Sequence, residues 1–226
     1  MRAVAVLLGA GRGDRLGLGV PKAFARVAGR SLLAAAGAAA ESCADVHGVI
    51  MVVPPGREPE ARAAVELATK LVAVVAGGDS RQDSVRAALA VVPSEFDAVV
   101  CHDVARPLAR PSLYSEVLAA LDGADAAVPV VPVPDTVKRV RDGHVEATVD
   151  RGGMVLAQTP QAFRRPVLDE AHRRAVAEGW KATDDAGLAE RAGFRVAAVA
   201  GDPRNVKITT QEDLALVEVL VEATGG

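Results

Sequence analysis

Short apolar runs alternate with stretches of helical period along most of the chain. Residues 3–8, 48–53, 71–75, 98–101, 126–131, 155–158 and 196–199 are brief, nearly continuous apolar segments bounded by turn-forming residues, the pattern of strands buried on both faces. Between them, residues 31–42, 58–69, 80–92, 112–121, 166–177, 184–192 and 211–221 place apolar side chains near the 3.6-residue period and predict helices. Alternation of this kind implies an α/β fold, a Rossmann-like, mostly parallel sheet with helices on both faces. In such a sheet ligands belong at the carboxyl ends of the strands.

Residues 132–153 break the alternation. They carry no helical period, and Asp142-Gly143 sits between two β-prone alternating runs, which marks a hairpin turn. A two-stranded ribbon is marginal by itself in water. The hairpin is therefore expected to protrude as a dimerisation arm that packs on a second subunit, the plainer alternative being a flap folded back on its own domain. The expected organisation is one domain over residues 1–226, with residues 132–153 as a β-arm subdomain.

The ends of the predicted strands carry the chemistry. Behind the first strand, Gly11 to Lys22 reads G-R-G-D-R-L-G-L-G-V-P-K, with four glycines, Arg12, Arg15 and Lys22. Glycines bring bare N–H groups close to an anion, and the cations can donate to several phosphate oxygens at once. A polyphosphate suits such a loop better than a plain strand-to-helix turn with solvated arginines would. Asp14 or Leu16 occupies the slot where a dinucleotide G-x-G-x-x-G needs its third glycine, and no Gly-Lys-Ser/Thr follows for a Walker loop. The remaining pattern, G-x-G-x-R-x5-P-K, looks like the signature loop of nucleotidyltransferases.

Two further strand ends add to it. Gly77-Gly78-Asp79-Ser80 combines close backbone approach with a candidate helix start, and Asp83 and Ser84 behind it serve either a base or ribose contact or a solvated first turn. After the fourth strand, Asp103 is placed to hold a divalent cation such as Mg2+, which would neutralise charge during nucleotidyl transfer. His102 reads as a packed, hydrogen-bonding residue rather than a base, and Arg106 as a partner of Asp103 or a loop anchor.

Composition narrows the field. The chain has 226 residues, half of them hydrophobic, and a formal net charge of −3, enough for a sizeable α/β core and against a general nucleic-acid binder. Only six residues are aromatic, so Val, Leu and Ala must pack the core. Cys43 and Cys101 lack metal-ligand spacing and read as reduced, cytoplasmic thiols. No apolar run approaches the roughly 20 residues of a membrane span, and no signal-peptide pattern opens the chain.

Eight motifs in order resemble the 2-C-methyl-D-erythritol 4-phosphate cytidylyltransferase family: the Gly11 loop, G-G-D-S-R-Q-D-S-V from Gly77, H-D-V-A-R-P from His102, P-D-T-V-K from Pro134, V-D-R from Val149, Q-T-P-Q from Gln158, T-D-D-A from Thr183 and N-V-K-I-T from Asn205. The resemblance implies a fold of the nucleotide-diphospho-sugar transferase type and a homodimeric, Mg2+-dependent enzyme of non-mevalonate isoprenoid synthesis. Such an enzyme joins CTP to methylerythritol phosphate and releases pyrophosphate. By this resemblance Arg15 and Lys22 stabilise the transition state around the CTP phosphates, and Lys207 lies near the α-phosphate. Arg151 and Thr136, on the arm, hold the methylerythritol phosphate across the dimer interface, and Thr159 and Thr183 make further substrate contacts. Ala10, Gly11, Gly13, Gly78, Asp79, Ser84, Asp103 and Arg106 fall around the cytidine, its phosphates and the metal. Gly9 departs from the family pattern and is expected to loosen the loop without removing a phosphate contact. A cytidylyltransferase for another polyol phosphate, such as ribitol 5-phosphate, and a non-catalytic nucleotide-binding regulator are the alternatives.

Overall fold

A computed structural model describes residues 1–11, 13, 16–17, 19–65 and 68–223. From the N-terminus the strands are β1 (Ala3–Leu8), the short pair β2 (Arg26–Val27) and β3 (Arg30–Ser31), β4 (Val46–Val53), β5 (Leu71–Ala76), β6 (Ala98–Asp103), β7 (Ala126–Pro132), β8 (Val137–Arg141), β9 (His144–Val149), β10 (Val155–Ala157), β11 (Gln161–Arg164) and β12 (Val196–Ala200). The helices are α1 (Leu32–Ser42), α2 (Glu58–Ala64), α3 (Arg81–Leu89), α4 (Pro111–Ala119), α5 (Arg165–Glu178), α6 (Asp185–Arg191) and α7 (Gln211–Ala223).

The main sheet runs β10-β7-β11-β6-β1-β4-β5, and β12 also pairs with β7. Pairing is parallel between β1 and both β4 and β6, between β4 and β5, and between β12 and β7, whereas β11 and β10 run antiparallel to their neighbours. The mostly parallel sheet is thus as its apolar runs predict. β11 has no such run. Its Gln-Ala-Phe-Arg becomes a strand by lying between β6 and β7, where Ala162 and Phe163 are fully buried.

β1 shows how the layers form. Ala3, Ala5 and Leu7 pack with residues of α1, α2 and α4 on one face, while Val4 and Val6 pack with residues of α3, α5 and α6 on the other. Alternation with a period of two sends successive side chains to opposite faces, so a strand covered on both sides must be apolar throughout. Truncating a fully buried aliphatic of the adjacent β4, such as Ile50, to alanine should cost about 2–5 kcal/mol. Because β4 and β5 extend from one side of β1 and β6 from the other, the strand order reverses at β1, and a crevice opens at the carboxyl ends there.

Helix ends are set by local chemistry. Ser31 caps α1 by accepting from the Ala34 N–H, and Ser80 with Asp83 forms a capping box on α3. Two helices stop short of their periodic patterns. α3 ends at Leu89, after which the chain tightens into i→i−3 bonds (Val91 N–H to the Ala88 carbonyl, Val92 N–H to the Leu89 carbonyl) before Pro93, and Val92, as the residue before proline, avoids the helical region. α2 ends at Ala64, after which the Glu41 carboxylate takes the Thr69 and Lys70 N–H groups and turns the chain into β5.

Strands β8 and β9 form a separate two-stranded sheet. Its turn places Asp142 at φ +50° and Gly143 at φ +79°, the left-handed pair that a tight hairpin requires. Val140 and Val145 face each other across it, 59% and 64% exposed. Among the described residues no helix is long and apolar enough to cross a membrane.

Candidate active site

A cleft of about 770 Å³ opens where β1, β5 and β6 release the chain, with Pro54 and Pro55 from the turn after β4. Ala10, Gly11, Gly13 and Lys22 line one side, Gly78, Asp79 and Ser84 another, and Asp103 and Lys207 complete it. Arg15 lies outside the described residues.

The glycine loop is shaped by close packing. Gly13 takes φ +75°, and a Cβ there would lie 2.7 Å from Lys22 Cβ, so a bare backbone at this point is what seats Lys22 against the loop. Gly9 does not loosen it. Its N–H donates to the Val52 carbonyl at 2.7 Å, and an added Cβ would meet Ala23 Cβ at 3.0 Å, so the residue permits approach rather than motion.

On the second wall Asp83 and Ser84 have different tasks. The Asp83 carboxylate accepts from the Ser80 N–H at 3.0 Å as part of the capping box, so the helix start itself uses it. The buried Ser84 hydroxyl accepts from the Gly78 N–H at 3.2 Å. It ties the first turn of α3 to a glycine pair with no room for side chains, since a Cβ on Gly77 would fall 2.2 Å from Ala10 Cβ.

Asp103, the last residue of β6, is the electrostatic centre. Its Oδ1 accepts from Arg81 Nε at 3.2 Å and its Oδ2 from Lys207 Nζ at 2.6 Å. Burial works against its charge, but the Arg81 and Lys207 cations outweigh it and hold the carboxyl well below the usual range. Behind it, the Asp103 N–H donates to Thr159 Oγ at 3.1 Å, and Thr159 Oγ lies 3.0 Å from His102 Nδ1. His102 Nε2 is 3.2 Å from the Arg106 carbonyl. A carbonyl only accepts, so the ring proton sits on Nε2 and the threonine hydroxyl donates to Nδ1. Burial pushes the imidazole pKa down to about 4, which makes His102 a neutral structural residue, in line with its sequence reading.

The remaining candidates lie away from this lining. Thr159 is buried beneath Asp103. Arg106 anchors loops by donating to the Asn205 carbonyl at 2.7 Å and the Ala157 carbonyl at 3.4 Å. Thr136 and Thr183 are exposed, and the Arg151 guanidinium donates to the Val133 and Pro134 carbonyls of the arm's own stem. Arg81, Pro54, Pro55 and Thr209 also line the cleft; none of them is among the site residues expected from sequence, although Arg81 and Thr209 fall inside the family-like motifs. Pro54 and Pro55 directly follow a predicted strand, and that position is the signal that marks them.

Two carboxylates, Asp79 and Asp103, line the cleft, a small set for a metal, and among the described residues no three His, Cys, Asp or Glu side chains converge on a common point. Magnesium is commonly held through one or two carboxylates with substrate phosphates supplying other ligands. A carboxylate also has about four acceptor positions, so Asp103 can serve an ion while keeping both cations. The donor set therefore fits a magnesium ion that arrives with a polyphosphate.

The family model for 2-C-methyl-D-erythritol 4-phosphate cytidylyltransferase matches residues 3–223. A protein of that description from Saccharopolyspora erythraea is 45% identical over 227 residues, covering 98% of this chain and 100% of its own. The bifunctional enzyme IspD/IspF of Nitratidesulfovibrio vulgaris is 43% identical over 96% of this chain, which spans only 58% of that longer protein. Among solved structures, the 2-C-methyl-D-erythritol 4-phosphate cytidylyltransferase of Thermus thermophilus superposes with a TM-score of 0.81 at 38% identity, covering 96% of this chain and 98% of its own. With a match over nearly its whole length and the glycine loops meeting at the strand ends, the chain belongs to the 2-C-methyl-D-erythritol 4-phosphate cytidylyltransferase family.

Proposed function

We propose that this chain joins CTP to 2-C-methyl-D-erythritol 4-phosphate, giving 4-diphosphocytidyl-2-C-methyl-D-erythritol and pyrophosphate. The observation that carries the reading is a cleft whose walls are bare glycine backbone and whose charged floor is Asp103 held between Arg81 and Lys207. A phosphate oxygen of the acceptor attacks the α-phosphorus of CTP, the bond from that phosphorus to the bridging oxygen breaks, and pyrophosphate leaves. The attacking oxygen is already anionic, so no strong base is required; the difficulty lies in bringing two polyanions together and spreading the developing charge. Lys22 and Lys207 suit that task, with Arg15 added by family resemblance. Asp103 would hold a magnesium ion together with the nucleotide's phosphate oxygens, and such an ion supplies charge neutralisation. Ala10, Gly11, Gly13, Gly78, Asp79 and Ser84 form the nucleotide side.

We assign Thr136, Arg151 and Thr183 to the acceptor side; Thr159, expected there from sequence, is instead buried with its hydroxyl committed to His102 and the Asp103 N–H, and supports Asp103 from beneath. Arg151 and Thr136 lie on a hairpin whose exposed Val140 and Val145 suit burial against a second copy, which supports a homodimer in which the arm completes the partner's site. Two free, buried thiols, Cys43 and Cys101, suit a reducing, cytoplasmic setting. The test is pyrophosphate release with each nucleotide and acceptor. Turnover is expected with CTP and methylerythritol phosphate and to be at least about 10²-fold weaker with UTP, because a pocket made for the cytosine amino edge leaves buried partners unpaired. Comparable kcat/KM for CTP and UTP, or for methylerythritol and ribitol phosphates, would refute the assignment.

A further inference from the structure

Two adjacent side chains in the first turn of α3 reach across to one segment, residues 180–185. Arg81 Nη1 donates to Asp185 Oδ2 at 2.6 Å while its Nε holds Asp103. Gln82 grips backbone at two points: its Nε2 donates to the Trp180 carbonyl at 3.2 Å, and its Oε1 accepts from the Ala182 N–H at 3.2 Å. Asp185 is fully buried and also accepts from His172 Nε2 at 3.0 Å. From behind, Gln161 Nε2 donates to Asp184 Oδ2 at 2.8 Å. Trp180 has guanidinium groups of Arg174 and Arg191 at 4.9 and 4.6 Å from its ring centre.

The start of α6 does not need this grip for its own sake. Asp184 already caps the helix by accepting from the Gly187 N–H at 3.0 Å, and Ser80 with Asp83 caps α3 without help from Gln82. What Arg81 and Gln82 add is a fixed distance between the two segments. One of these carries the glycine pair and Ser84 of the cleft wall, and the other carries the exposed Thr183.

We infer that Arg81 and Gln82 are positioning residues for the phosphate acceptor: they fasten residues 180–185 to the nucleotide wall, so that Thr183 stands at a set place relative to the bound nucleotide. The inference rests on the reading that Thr183 meets the acceptor. Binding geometry off by even an ångström is costly in a reaction between two bound groups, so loosening this segment should weaken acceptor use and leave nucleotide binding intact.

Gln82→Ala removes both backbone contacts without touching Asp103 or the cleft lining. The expected result is a rise of about tenfold in KM for methylerythritol phosphate, the scale of losing two neutral hydrogen bonds in part, with the Kd for CTP, measured by calorimetry without acceptor, within about twofold of wild type. Trp180 is the sole tryptophan, and its fluorescence should become more accessible to acrylamide. Gln82→Glu keeps the acceptor for the Ala182 N–H and should lie between the two; it carries the same test should Gln82→Ala be too unstable to assay. An unchanged acceptor KM, or an equal loss for CTP and acceptor, would overturn the inference. Failure of the wild-type enzyme to use methylerythritol phosphate is a different result, and it would remove the functional reading together with this one.

Discussion

His102 offers a stability test that depends on one proton. Its side chain is fully buried, with Thr159 donating to Nδ1 and Nε2–H donating to the Arg106 carbonyl. Burial strips the water that would solvate an imidazolium and, despite the nearby Asp103 charge, pushes the pKa down to about 4 from 6.5. In the unfolded chain the ring titrates at about 6.5. Between those values the unfolded state binds a proton that the native state does not, so stability falls as the pH drops. The contribution is fully present above pH 6.5 and lost through the window down to pH 4. Its size at pH 4.5 follows from the two binding polynomials and is about 2.5 kcal/mol.

The assay is urea unfolding of wild type and His102→Gln at pH 7.5, 6.0 and 4.5. Glutamine keeps an N–H for the Arg106 carbonyl but does not titrate. The variant should be less stable at pH 7.5, and the gap between the proteins should narrow by about 2.5 kcal/mol at pH 4.5. Taking the difference removes the carboxylates. Asp103 and Asp185 are held below the usual range by Arg81 and its neighbours, so the stability they contribute is lost only at lower pH. A gap that does not change with pH would show that His102 is not kept neutral and that the hydrogen-bond chain beneath Asp103 is wrongly drawn.

Two further outcomes test the catalytic reading. Lys22→Ala should lower kcat by at least about 10²-fold in a pyrophosphate-release assay with little change in melting temperature; near-normal turnover would reduce the loop to a structural turn. Mixing Arg151→Ala chains with Lys22→Ala chains should restore roughly a quarter of wild-type activity, because half the dimers are hybrids with one intact site each if the arm acts in trans. No recovery after verified subunit exchange would place Arg151 in its own subunit's site.

What the sequence discloses and what it hides divide along physical lines. The Gly11–Lys22 loop and the 77–84 segment are legible because positive φ, close backbone approach and phosphate binding all demand glycine and cations at strand ends. Gly13 against Lys22 is the realised case. Asp83 and Ser84 are not separable from sequence, because helix capping and ligand binding draw on the same residue types. Only the folded geometry assigns Asp83 to the Ser80 cap and Ser84 to the Gly78 N–H. β11 is hidden because its strand character comes from its neighbours rather than from its own pattern. Gly9 misleads for a related reason: freedom in an isolated chain becomes tight contact once Val52 and Ala23 close on it.

The least legible feature is the one on which the proposed chemistry depends. Asp103 announces itself as an aspartate at a strand end, yet its ionisation is set by Arg81 and Lys207, 22 and 104 positions along the chain. Arg81 is in turn paired with Asp185, a further 104 positions from it. A buried carboxylate without such partners would be driven towards its neutral form, and a neutral Asp103 could not hold a cation beside a polyphosphate. The fold's contribution to the site is therefore to bring opposite charges from three distant segments to one strand end. No spacing rule can reveal that, because its period is the topology of the sheet.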